Sequence, residues 1–323
     1  MNRTVPASLQ RLDRPRRRRR LAAGLLALGT AASVSAIAAP ADAAPIAPTV
    51  VERYAPMVFL YSSDDNRPTT AERFVDNSRL RWNHDQDCPD DDVTDEPRAS
   101  TLGNGGYRHR TAGTWPICSP GDTVYRSNQF TRPYSGIAGD EGFFLDLRDE
   151  FRGGIGRRAR VYYRFSPGSF VTYWMFYAFN DAPPGGSSPS DHEGDWERIS
   201  VRLNANNQAT NVAYFGHGDY CTLPWADVNT SNGHPVVYSA NGSHASYPTE
   251  EADGLGPDQA DKGPRWNTWR RLRSLTARPW FNYGGGWGVV NLDNILGSDS
   301  TGPVGPRFQS DTPAPSDWSH NPC

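Results

Sequence analysis

The sequence predicts an all-β fold, a β-sandwich or distorted barrel with long loops and one or two short helices. Three observations predict it. The 323-residue chain carries 31 Gly and 27 Pro. Short runs of aromatic and β-branched residues recur between those turn formers. In one of them Ile199, Val201 and Leu203 alternate with Arg198, Ser200 and Arg202, the period of a half-buried strand. No linker or internal repeat divides the chain, so residues 44–323 are expected to form a single domain.

The chain is expected to start with an export signal. Arg16 to Arg20 form a positive run directly before the Ala- and Gly-rich apolar run Leu21 to Ala39, the pattern of a signal peptide. Ala41-Asp42-Ala43 supplies an A-x-A cleavage site, so the expected leader is residues 1–43 and the expected location is extracellular. The consecutive arginines also permit twin-arginine export. A retained anchor is the other reading, but the run falls short of a full span, and no later segment is apolar enough to cross a bilayer.

Removing the leader changes the charge. It carries 8 of the 33 basic and 2 of the 36 acidic residues, leaving 25 against 34, a net of −9. Nucleic-acid binding needs clustered positive charge, which this acidic body lacks, so DNA and RNA are excluded as expected partners.

Four cysteines in an oxidising compartment imply two disulfides, with three possible pairings. The favoured pairing is Cys88 with Cys118, flanking a polar loop, and Cys221 with Cys323, tying down the C-terminal tail. A cysteine zinc site is disfavoured because no C-x-x-C spacing exists.

Taken in order, the expected strands are Met57 to Tyr61, Arg160 to Phe165, Val171 to Phe179, Glu197 to Leu203, Asn211 to Phe215 and Val236 to Ala240. A short helix is predicted to start at Thr69, with a Thr69/Glu72 capping box and Ala71, Phe74, Val75 and Ser78 on one face. The acid-rich stretch from Asn83 to Asp122 could bind calcium, but the EF-hand order is absent, so it reads as a solvated, disulfide-closed loop.

The segment Asp191-His192-Glu193-Gly194-Asp195-Trp196-Glu197 runs into the alternating strand. If that strand extends back far enough, Asp195 and Glu197 share the inward face with Ile199, Val201 and Leu203. A buried carboxylate needs a cation, a metal or strong donors, or must stay protonated. This makes Asp195 and Glu197 candidate catalytic residues, and a salt bridge to arginine is the structural alternative. His244, in Asn241-Gly242-Ser243-His244 just past a predicted strand, is the third candidate, as a base, a metal ligand or a structural histidine. Ser243 lacks a G-x-S-x-G setting, which argues against a serine nucleophile.

Aromatic residues give a further clue, with 10 Trp, 14 Tyr and 13 Phe. Trp266, Trp269, Trp280, Phe281, Tyr283 and Trp287 cluster beside Gly284 to Gly286, as a groove wall or as core. Trp196, Trp266 and Trp287 are the candidate substrate-binding residues.

Several motifs occur in an order that resembles proteins of the Vps62 type (vacuolar protein sorting-associated protein 62-like). They are Glu52-Arg53-Tyr54-Ala55-Pro56, Arg67-Pro68-Thr69-Thr70, Tyr173 to Asn180, Glu193-Gly194-Asp195-Trp196-Glu197, His234 to Tyr238, Gly242 to Pro248 and Gly263-Pro264-Arg265-Trp266. That resemblance spans nearly the whole mature chain and implies no particular chemistry. The segment Asp191 to Glu197 is also similar, more weakly, to the G-H-R-H-D-W-E heptapeptide of necrosis-inducing NPP1-type proteins, secreted β-sandwich toxins in which it lines a divalent-cation site. Glu193 stands in place of the Arg and Gly194 in place of the second His. What this resemblance implies is confined to a cation site (Ca or Mg) made by His192, Asp195 and Glu197.

Two function classes follow. One is a hydrolase of an extracellular polymer, with glycan the expected substrate, using Asp195 and Glu197 as metal ligands or as an acid and base pair. The other is a non-enzymatic effector or toxin-like protein that binds a glycan or lipid headgroup through a divalent cation. The chain is expected to be monomeric.

Overall fold

The computed structural model describes residues 49–84, 88–112, 118, 120–131, 141–181, 191–250, 258–290, 301–319 and 322–323. The expected leader, residues 1–43, lies outside them. In chain order the strands are β1 (Met57–Phe59), β2 (Ser78–Asn83), β3 (Asp91–Thr94), β4 (Arg108–Ala112), β5 (Pro120–Arg126), β6 (Gly142–Leu147), β7 (Val161–Ser166), β8 (Phe170–Asn180), β9 (His192–Leu203), β10 (Ala209–Gly216), β11 (Asp219–Pro224), β12 (Thr230–Ser231), β13 (His234–Ser239), β14 (Ser246–Tyr247), β15 (Arg265–Asn267) and β16 (Leu272–Ser274). The helices are α1 (Val50–Arg53), α2 (Ala71–Asp76) and α3 (Ala99–Asn104). The fold is all-β, as expected, and no sheet closes into a barrel.

A six-stranded sheet of order β11-β10-β9-β8-β7-β16 forms the middle. Its strand β8 is buried from Val171 to Asn180 without a break, because each face of the sheet has its own cover. Successive side chains point to opposite faces. Tyr173, Met175 and Tyr177 therefore pack with Ile199 and Val201 against Val58, Val237 and Trp266 of the sheet β12-β13-β1-β15. Trp174, Phe176 and Ala178 pack with Trp196 against Leu80, Trp82, Phe143 and Leu145 of the sheet β3-β2-β6. The result is a sandwich of three layers rather than two.

That third layer corrects two expectations. Strand β9 is only in part the half-buried strand expected: Arg202 is exposed, but Ser200 is enclosed and shares a 2.8 Å hydrogen bond with Thr172. The Arg198 guanidinium lies 4.0 Å from the Phe215 ring centroid and 4.8 Å from that of Trp174, where its flat cation gains from the ring faces. The aromatic groove wall is corrected to core. Trp196, Trp266 and Trp287 are only 3%, 1% and 1% exposed. Trp196 sits 4.4 Å from Phe176 and 5.2 Å from Trp287, so no ring face is open to a sugar.

The helix expected at Thr69 forms one residue later. Thr70 is the N-cap, its Oγ1 accepting from Arg73 N at 3.1 Å, because the Thr69 N–H is committed to Phe176 O of β8 at 2.8 Å. Ala71, Phe74 and Val75 are its buried face, as the spacing predicts. The disulfides are Cys88–Cys118 and Cys221–Cys323, the favoured pairing. The acid-rich stretch from Asn83 to Asp122 is closed by the first of them, but it is not a plain loop, since it holds β3, α3 and β4.

Candidate functional site

Gly194 sets the approach of β9 to the site. Its φ is +60°, and a Cβ there would lie 2.0 Å from Trp287 O, so only glycine lets the strand pass this close. Beyond it the strand pairs with β8, Asp195 opposite Tyr177 and Glu197 opposite Met175. The two carboxylates are thus on the same face as Ile199 and Val201, as the alternation predicts.

Asp195 is enclosed, and its partner is His244. The turn after β13 carries His244 at φ +57°, a strained conformation for a side chain with a Cβ. The surroundings hold it there. Its Nδ1 is 2.8 Å from Asp195 Oδ2, its Nε2 makes an ion-pair contact of 3.2 Å with Asp64 Oδ2 outside hydrogen-bond alignment, and its ring stacks on Tyr177. Burial alone would lower the His244 pKa, but the two carboxylates outweigh it and raise it to about 9. Asp64 is opposed by burial too, yet the contact with His244 holds it below the usual carboxylate range. Asp64 is itself fixed by a hydrogen bond from Asn66 N to its Oδ1, 2.8 Å.

Glu197 is in the opposite condition. It is half-buried, and burial together with the charge of Asp195 pushes its carboxyl well above the usual range. The neighbouring charge of Asp258 acts in the same direction.

Asp258 is the centre of a second cluster. Its Oδ2 accepts from Ser243 Oγ at 2.8 Å and Tyr247 OH at 2.8 Å, and lies 2.7 Å from His217 Nε2. The hydrogen bond to Asp258 raises the His217 pKa. Ser243 and His217 meet the same carboxylate oxygen rather than each other, so the trio is not a nucleophile relay. His217 occupies the two-residue turn between β10 and β11, where it and Gly218 have φ of +53° and +80°, the type I′ geometry that joins twisted strands.

The remaining predicted residues lie apart from this group. His192 is half-buried, with Nδ1 donating to Gly194 O at 3.0 Å. Among the described residues, the donor atoms of His192, Asp195 and Glu197 do not gather within 4.8 Å of one another. The cation site that the heptapeptide resemblance implies does not fit this arrangement. Glu193, 2% exposed, accepts from Leu147 N at 2.9 Å and Val289 N at 3.3 Å, and burial pushes it up to about 8. Sequence reasoning missed Asp64, His217, Tyr247 and Asp258. Only the histidine in a Gly-His-Gly turn carried a local signal.

Chemically, the arrangement is a fixed Asp64–His244–Asp195 array beside Glu197, a carboxyl that keeps partial contact with solvent. No family model matches the chain, and no curated protein matches it. The chain is similar to a solved structure described as NLPPya in complex with mannosamine, a necrosis and ethylene-inducing peptide 1-like protein, at 12% identity and a TM-score of 0.32, over 71% of this chain and 72% of that one. A likeness of that looseness carries no weight for fold or ligand. The disulfides are typical of extracellular proteins. No helix among the described residues is long and apolar enough to cross a membrane.

Proposed function

We propose that the chain is a secreted hydrolase of an extracellular glycan, with Glu197 as its general acid. One observation carries this reading: Asp195 and Glu197, two residues apart on one face of β9, sit in unlike surroundings, Asp195 against the His244 imidazole at 2.8 Å and Glu197 with its carboxyl pushed well above the usual range by burial and the charge of Asp195. Carboxyl groups pushed apart in this way are how one fold runs acid chemistry at neutral pH.

In this reading Glu197 gives its proton to the glycosidic oxygen as the C–O bond breaks. The negative charge of Asp195 stabilises the positive charge that develops on the sugar. Water then adds to the sugar carbon and returns a proton to the carboxylate left on Glu197. His244 and Asp64 act as positioning residues, because His244 is fully enclosed and meets only protein.

A polysaccharide panel assayed for new reducing ends tests the proposal. Glu197→Gln is expected to lose about 100-fold or more of the turnover while keeping binding. Saturable sugar or headgroup binding by the wild type with no product would replace the hydrolase with a binding protein. Full activity in Glu197→Gln would remove the assignment altogether.

A further inference from the structure

A second group of side chains lies on the opposite side of the central sheet, in the layer built on β2, β3 and β6 and the hairpin β4-β5. His84 follows β2, Asp91 opens β3 and His109 lies on β4. One donor atom from each gathers within 4.8 Å of the others. The Nε2 of His84 is 2.9 Å and that of His109 is 3.3 Å from the same oxygen, Asp91 Oδ2.

Both rings are oriented from behind. His109 Nδ1 is 2.8 Å from Arg110 O, and a carbonyl only accepts, so that nitrogen carries the proton. His84 Nδ1 is 2.9 Å from Glu141 Oε2, which also accepts from Trp82 Nε1 at 2.9 Å. Trp82 stacks on the His109 ring, centroids 5.0 Å apart. In the empty site a proton on His84 Nε2 bridges to Asp91 Oδ2 at 2.9 Å; with each Nδ1 proton engaged from behind, loss of that bridging proton leaves neutral imidazoles whose Nε2 lone pairs face inward. Three electron-rich atoms then converge on one point, an arrangement that a cation satisfies.

We propose that His84 Nε2, His109 Nε2 and the Asp91 carboxylate bind a divalent transition ion, zinc foremost. Two imidazoles and one carboxylate suit zinc rather than calcium or magnesium, which take oxygen ligands. Metal–ligand bonds of about 2.0–2.1 Å place tetrahedral donors roughly 3.3 Å apart, close to the spacings here. Glu141 and the Arg110 carbonyl supply the outer acceptors that metal-bound histidines require. The site borders an open pocket of about 510 Å³ that Arg108, Thr111, Cys118 and Val124 also line, leaving space for a fourth ligand, water or a substrate oxygen. The Cys88–Cys118 disulfide fastens the pocket wall. No free cysteine competes for the ion. None of these residues belongs to the Asp195–His244 group, so this inference stands apart from the proposed hydrolase.

The test is zinc titration of the intact, chelator-treated protein by calorimetry, with cobalt as a spectroscopic probe. We expect one zinc per chain, a visible four-coordinate cobalt spectrum and no comparable response to calcium or magnesium. His109→Gln, on the half-buried ring, is expected to weaken zinc at least 100-fold, and Glu141→Gln about 10-fold. Should His84→Gln fail to fold, His109→Gln and Asp91→Asn still decide the matter. No zinc binding, or binding unchanged in His109→Gln and Asp91→Asn, overturns the proposal. Binding lost in Glu197→Gln instead would place the ion at the other site and also overturn it.

Discussion

The ring of His244 lies flat on that of Tyr177, with centroids 3.8 Å apart and planes 7° apart. Tyr177 comes from the middle of β8 and shares a 3.0 Å hydrogen bond with Ser239 of β13. Burial pushes the Tyr177 hydroxyl far above its ordinary range, so it stays neutral and offers an intact ring face to the imidazolium. A left-handed backbone, two carboxylates and this ring together fix the orientation of a single side chain.

That arrangement makes stability depend on pH. The folded His244 holds its proton up to about 9, against an ordinary value of 6.5. Its contribution is therefore fully present below pH 6.5 and is lost as pH rises through 9. Glu193, raised from 4.5 to about 8, acts in the same direction, since the fold favours its protonated form. Thermal scans are expected to show Tm falling between pH 6.5 and 9, with a shallower fall in His244→Asn. A flat profile would contradict the charge state assigned to His244.

Substitutions at Asp195 and Glu197 are expected to differ sharply, although both remove a carboxylate from the same face. Asp195→Asn leaves the enclosed imidazolium with Asp64 alone and is expected to cost about 3–5 kcal/mol. Glu197→Gln replaces a carboxyl whose charged form the fold disfavours and is expected to cost less, about 1 kcal/mol or below at pH 7 and less again at pH 9. Denaturant unfolding at the two pH values separates them.

Gly194→Ala tests the passage of β9 beside Trp287. The added Cβ meets a backbone oxygen that has no rotamer to move to, and the φ of +60° is unfavourable for alanine. The expected loss is at least about 1–3 kcal/mol, measured by chemical denaturation. A larger effect on the reactivity of His244 than on overall stability would show that the glycine mainly aligns Asp195.

Trp196→Ala tests whether the aromatic cluster is core. The ring touches Phe176, Trp280 and Trp287 in one enclosed packet. Truncation is expected to cost about 3–5 kcal/mol. Sugar affinity per folded molecule should not change.

The period-2 alternation of Ile199, Val201 and Leu203 was enough to place Asp195 and Glu197 on one inward face, because β9 continues back to His192. The site around them was not legible. Asp64, His217 and Asp258 come from loops and turns with no period, and what brings them to His244 and Ser243 is the stacking of two sheets. The tryptophans show the same limit. Whether Trp196 and Trp287 line a groove or a core depends on whether β2 and β6 cover that face. The alternation of Leu80 and Trp82 with Arg79 and Arg81 is itself a strand signal, but it lies directly after the helix, beside the acid-rich stretch that reads as loop. The histidine pair His84 and His109 is 25 residues apart in sequence and meets only through the β4-β5 hairpin.

The middle sheet has a kinetic consequence. Strands β7 to β11 follow one another along the chain and pair neighbour to neighbour, so they can assemble from short loop closures. The outer layers are expected to form later, because β1 must find β13 in parallel across the bulk of the sequence and β2 must find β6. Until then both faces of the early sheet are bare, with Tyr173, Met175 and Tyr177 on one and Trp174 and Phe176 on the other. A sheet assembled in that order would be sticky on two sides at once. Its survival in a crowded setting depends less on final stability than on how quickly the distant strands arrive to shield it.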